Sequence, residues 1–184
     1  MKQPTTTSKK YSLLERTAYH EAGHAVAHHH NQLGLQLISI VRTRNSLGNC
    51  SGSIKRLVTT IAKLEEGSND LKTRVYVERQ IQVFLAGLTS EWLLTGRRTW
   101  RHFQQDLDSA ENLARSLEGS GEATSALLTL LRIRTEAFLK NHWHEVEALG
   151  VALLERKTLT GKQGRQIIRE LPQNSLSQDV LRQV

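Results

Sequence analysis

Cysteine occurs once, at Cys50, in a chain of 184 residues. A single thiol closes no intramolecular disulfide and builds no cysteine-based metal knuckle, so any metal site must draw on nitrogen and oxygen donors. No run of about 18 or more apolar residues occurs, and the start, Met1-Lys2-Gln3-Pro4 followed by threonines, lacks the apolar stretch of a signal peptide. The expectation is a soluble, cytoplasmic chain with no membrane span. There is no phosphate loop of G-x-x-x-x-G-K-[ST] type, no internal repeat and no low-complexity linker. Aromatic residues make up 5% of the chain, which leaves few rings for base stacking. Apart from Lys9-Lys10 and the cluster of Arg97, Arg98 and Arg101, basic residues alternate with glutamate. The net charge of +7 is therefore read as a solvated basic face, and a nucleic-acid partner is not expected.

Hydrophobic residues at 38% and charged residues at 23% sit near the globular average, and the length suffices for one domain with a real core. The expected organisation is a flexible tail over residues 1–10, one domain over 11–171 and a polar tail over 172–184. Ser12 and Glu15 form a Ser-x-x-Glu box that starts a helix, in which Leu13, Thr17, His20, His24, Ala27 and His28 recur at helical spacing until residues 31–34 supply a stop. Residues 35–41 alternate and read as a strand, and residues 48–53 read as a loop leading to a second short extended piece. From Leu71 the spacing of Val75, Val77, Ile81, Phe84, Leu85, Leu88, Trp92 and Leu93 predicts a long helix closed by Thr95-Gly96. Further helices are expected over 105–117, in two or three segments over 122–157, and over 163–170, with residues 158–161 breaking the pattern. The fold class is mainly α with a small β-sheet, an α+β fold.

The chemistry is concentrated in Tyr19-His20-Glu21-Ala22-Gly23-His24-Ala25-Val26. Two histidines four apart on a helix project from one face a turn apart, so both imidazoles reach one zinc ion. Glu21 then stands where a carboxylate reaches a metal-activated water without ligating the metal, the position of a general base. In a loop the same letters would mean little; on a capped, periodic helix they point to a zinc centre of His20 and His24, with Glu21 as the catalytic residue.

Residues 18–26 closely resemble the zinc site of the FtsH-type ATP-dependent metallopeptidases, whose peptidase domains are mostly helical with a small sheet. The similarity extends to Leu85-Ala86-Gly87-Leu88-Thr89-Ser90-Glu91-Trp92-Leu93-Leu94-Thr95-Gly96, which looks like the family's second signature helix. It continues in Gln105-Asp106-Leu107-Asp108-Ser109-Ala110, similar to a family segment whose aspartate completes the metal site, and in a C-terminal helical region over 149–168. The resemblance covers about residues 13–170. It implies Asp106 as the third zinc ligand beside His20 and His24, and it places Glu91 behind the site, either accepting a hydrogen bond that orients a ligand histidine or standing on the helix surface. Asp108, two residues on in a helix, points roughly 200° away from Asp106. Just before the aspartate the chain departs from the family, with Trp100-Arg101-His102-Phe103-Gln104 replacing a turn of small residues; His102, four residues ahead of Asp106, reads as a partly exposed residue near the cleft, with a competing metal donor as the alternative.

The resemblance further implies endopeptidase action on unfolded proteins or peptides, which would add to a sheet edge near residues 38–52. It implies a six-membered homo-oligomer as well. The family's ATPase module has no counterpart in this sequence, so unfolded substrate or a separate AAA+ unfoldase acting in trans is expected. The alternative is a peptidase-like binding or regulatory module with weak or no catalysis. His28 at the end of its helix is expected to face solvent or the helix dipole, and His142-Trp143-His144 to serve surface and packing. Cys50 is expected beside the substrate groove.

Overall fold

The computed structural model describes residues 10–44, 46–52, 54–67, 70–97 and 104–172. The expected tails, apart from residues 10 and 172, and the segment holding Arg98, Arg101 and His102 lie outside these. Helix α1 (Leu13–His30) begins at the capping box read from the sequence. The Ser12 Oγ accepts from the Glu15 N–H at 3.2 Å, and the Glu15 carboxylate accepts from the Ser12 N–H at 2.8 Å. The helix stops at Asn31, and the chain turns through the left-handed conformation at Gln32 and again at Gly34. Its residues from His20 to His28 are all buried, so α1 is a central helix rather than a surface one.

Three short strands follow the order β2 (Asn49–Ser51), β1 (Leu37–Ser39), β3 (Thr158–Thr160), each pair antiparallel. Ile38 stands opposite Cys50 on one side and Leu159 on the other. Two expectations are corrected here. The loop expected over residues 48–53 contains β2, and the extended piece expected beyond it is instead helix α2 (Ile54–Glu65). Leu57, Ile61 and Leu64 fall on one helical face and pack against the core, and that burial decides the conformation. The break expected at 158–161 is β3, which completes the sheet from the far end of the chain.

Helix α3 (Leu71–Thr95) crosses α1. Asp70 caps it by accepting from the Lys72 and Thr73 N–H groups, and Gly96 ends it in the left-handed conformation, φ 68°. Helices α4 (Gln104–Leu117) and α5 (Gly121–Asn141) pack on α3, while α6 (Trp143–Arg156) lies along α1 and α7 (Gly161–Glu170) closes over β1. One core runs through all layers, with Val26, Ile38, Val77, Ile81, Leu131, Leu149, Leu153 and Leu159 fully enclosed. The fold is thus mainly helical with a small antiparallel sheet. Among the described residues no helix is long and apolar enough to cross a membrane.

The junction between β3 and α7 is sterically closed. A Cβ built on Gly161 would lie 1.7 Å from the Leu35 carbonyl oxygen, whereas one on Gly121 meets nothing. Gly161→Ala is therefore expected to lower stability by about 2 kcal/mol or more, since backbone must move. Gly121→Ala, in the first turn of α5, is expected to be neutral or to stabilise by up to about 1 kcal/mol. Urea denaturation of the two variants side by side checks the contrast.

Candidate metal centre

Helix α1 presents His20 and His24 a turn apart toward α3 and α4. The His24 Nδ1–H donates to the Val83 carbonyl of α3 at 2.7 Å, which leaves the Nε2 lone pair directed at the opposite side of the ring. The His24 Nε2 lies 2.9 Å from the His20 Nε2, and the two rings meet edge to face. Helix α4 brings Asp106 from its first turn, with Oδ2 at 2.9 Å from the His20 Nε2 and 3.3 Å from the His24 Nε2. Ligand atoms about 2.05 Å from a tetrahedral zinc stand roughly 3.3 Å apart. The triangle of 2.9, 2.9 and 3.3 Å is a slightly contracted version of that arrangement.

Glycine makes this approach available. A Cβ on Gly87 of α3 would lie 2.5 Å from the His24 Nε2 and 2.6 Å from the His20 Nε2. Only a residue without a side chain leaves the space in which those two nitrogens converge. The electrostatics agree with a cation at that point. Burial would lower the His24 pKa, but the Asp106 carboxylate outweighs it and lifts the imidazole to about 9. Burial and the neighbouring His24 push His20 down to about 4. Burial would raise the Asp106 carboxyl, and the two imidazoles reverse this and hold it well below the usual carboxylate range. Without a metal the three donors thus hold one proton, on His24, facing the Asp106 carboxylate charge.

Glu21, the next residue of α1, is 4% exposed and faces the same cavity. Its carboxylate packs against Gly48, where a Cβ would come within 2.4 Å of Oε1. Burial, opposed by His24 and reinforced by Asp106, raises its pKa to about 7, so at neutral pH it takes up or releases a proton with equal ease. The cavity, of about 470 Å³, runs between α1, the β2 strand, α2, α3 and the start of α4. His20, Glu21, His24 and Asp106 lie together on its wall.

Other expectations come out differently. Asp108 points away and accepts a hydrogen bond from Gln104 on the exposed face of α4. Glu91 is 2% exposed, which removes the surface alternative. It forms a part-buried ion pair with Arg16, whose Nε donates at 2.6 Å, and so ties α3 to α1 one turn ahead of His20. His28 does not face solvent. It lines the cavity below the β2 strand, close against Gly52, with its Nδ1 buried and without a hydrogen-bond partner among the described residues. Its spacing four residues beyond His24 carried that signal. Cys50 lines the cavity, and burial together with the Glu21 and Asp106 charges raises its thiol well above the ordinary value, which keeps it protonated and poorly nucleophilic. Of the described residues over 38–52, those of β2 stand at an edge of the sheet, because β1 is paired on both sides.

The chain matches no family model and no curated protein.

Burial and the His24 charge lower the His28 pKa from 6.5 to about 4. The unfolded chain therefore takes up that proton first, and stability is complete above pH 6.5 and falls as pH drops toward 4. At 1.36 kcal/mol per unit, the contribution amounts to about 3 kcal/mol. In metal-free protein, the loss of stability across this window is expected to shrink by about that much in His28→Gln, as read from urea midpoints. An unchanged pH profile would remove His28 from the account.

Proposed function

We propose that this chain is a zinc-dependent endopeptidase that cleaves unfolded proteins or peptides, similar in its chemistry to the FtsH-type metallopeptidases that its motifs resemble. The observation that carries this reading is the convergence of the His20 Nε2, the His24 Nε2 and the Asp106 Oδ2 on one point of a cavity wall that Glu21 shares. Two imidazole nitrogens and one carboxylate oxygen are a donor set suited to zinc, and poorly suited to calcium or magnesium, which prefer oxygen throughout. When bound there, zinc supplies Lewis acidity that lowers the pKa of a coordinated water to about 7 and polarises a carbonyl.

The chain's own residues do the rest. The Val83 carbonyl fixes the His24 tautomer, so its Nε2 carries a lone pair rather than a proton when the ring is neutral. Glu21, with a pKa of about 7, takes a proton from water entering the cavity. The water oxygen forms the new bond to the peptide carbonyl carbon, the C–N bond breaks, and Glu21 delivers its proton to the leaving nitrogen. Strand β2 ends the sheet, and its outer backbone groups offer an extended substrate hydrogen bonds that do not depend on side-chain identity. Sequence-tolerant cleavage follows from that mode of binding. The resemblance adds to this reading a six-membered ring and delivery of substrate by a separate AAA+ ATPase.

Metal content and cleavage of unfolded casein, compared between the intact chain and Glu21→Gln, test the proposal. Zinc is expected in both, with cleavage reduced roughly 10²–10⁴-fold in the variant. Zinc in both with cleavage in neither would favour a binding module over an enzyme, and no zinc in either would overturn the proposal. Gly87→Ala provides an independent check. Alanine favours a helix interior over glycine by about 1 kcal/mol, so the variant is expected to stay folded by circular dichroism while the crowded imidazoles lose zinc.

A further inference from the structure

A second set of metal-ligating side chains lies at the other end of α1. His30, in its last turn, is about 15 Å along the helix from His20. Its Nε2 lies 2.8 Å from the Glu145 Oε2, and the His142 Nδ1 lies 3.0 Å from the other oxygen, Oε1. One carboxylate thus faces two imidazoles, one from α1 and one from the corner between α5 and α6. The three ligand atoms lie within 4.8 Å of one another. His142 and Glu145 stand three apart at the start of α6 and project from one face of it.

We infer that His30, His142 and Glu145 form a second site for a divalent transition-metal ion of the zinc type, which clamps the C-terminal end of α1 to the α5–α6 corner. The donors are again two imidazole nitrogens and a carboxylate, which select zinc-like ions over calcium or magnesium. Glu145 is the fixed anchor, with its side chain 9% exposed, while the His30 and His142 side chains at 31% and 26% leave an ion a path from solvent. Phe138 walls the cluster, its ring 5.5 Å from that of His30 and 4.6 Å from that of His142. The two imidazoles are themselves in contact, with centroids 4.0 Å apart. Two imidazolium charges at that separation repel, whereas one divalent ion between neutral rings satisfies the same carboxylate without placing like charges together. The negative end of the α1 dipole, at His30, adds to the attraction for a cation. This site shares no residue with the centre of His20, His24 and Asp106, and it stands whether or not that centre is catalytic.

Zinc bound at equilibrium, measured by elemental analysis after dialysis of the full chain against buffered zinc, separates the two sites. The intact chain is expected to bind two equivalents, His142→Ala and His30→Gln one each, and His20→Ala/His24→Ala one. Added zinc is also expected to raise the melting temperature of the His20→Ala/His24→Ala chain, a shift that disappears when His142→Ala is added. A single equivalent that survives loss of His20 and His24 but not of His142 would support this site while overturning the peptidase reading. Equal zinc in the intact chain, His142→Ala and His30→Gln, all folded by circular dichroism, would overturn the inference and leave Glu145 as an acceptor of two hydrogen bonds.

Discussion

Helices α1 and α3 cross at two glycines, one on each helix, and the position of both imidazoles in the candidate centre follows from that crossing. At Gly23 a side chain would strike the Ala86 carbonyl and Ser90, and at Gly87 it would strike both imidazoles. The two backbones therefore approach closely enough for the Val83 carbonyl to reach His24 directly. The donor atoms are held by helix packing, in which small displacements are resisted by dense neighbours, rather than by loops.

A helix that carries so many ionisable groups into a core has to neutralise or pair each of them. Arg16 pairs with Glu91 between α1 and α3. Burial leaves His20 and His28 neutral at physiological pH and brings Glu21 to the midpoint of its titration. The remaining charge is confined to His24 and Asp106, at the point where the three donors meet. The titratable groups of α1 from His20 to His28 thus lie at one wall of one cavity, and another face of the helix packs against α6, where Gly150 admits the Tyr19 ring.

Much of this was legible in the sequence because it depends on local signals. The Ser12–Glu15 box, the Gly96 stop of α3, and the His20/His24 spacing each report short-range geometry that burial only reinforces. Asp106 was reached only through family resemblance, since nothing local says which of two aspartates on α4 turns inward. Strand β3 escaped notice because three residues of moderate β character become a strand only when a distant partner offers its edge. Helix α2 was misread for the reciprocal reason, its conformation being decided by the core it covers. His28 reads as a solvent-facing residue because exposure is a property of the assembled fold. Its spacing four residues beyond His24 is visible in the sequence, but the β2 side of the cavity that covers it is not.

The sheet joins the two ends of the domain. Ser39 on β1 and Thr158 on β3 bond to each other across 119 positions of sequence, and the Arg165 side chain and the Gly161 N–H reach back to the carbonyls of Leu35 and Gln36. Closing so long a loop costs entropy that is recovered only when the last helices dock. A chain emerging from the ribosome exposes its histidine helix early, whereas the β1–β2 pair, whose β2 strand walls the cavity, gains its third strand only when nearly the whole domain has been made. Synthesis from the N-terminus thus separates the appearance of the candidate donors from the closing of the sheet beside them.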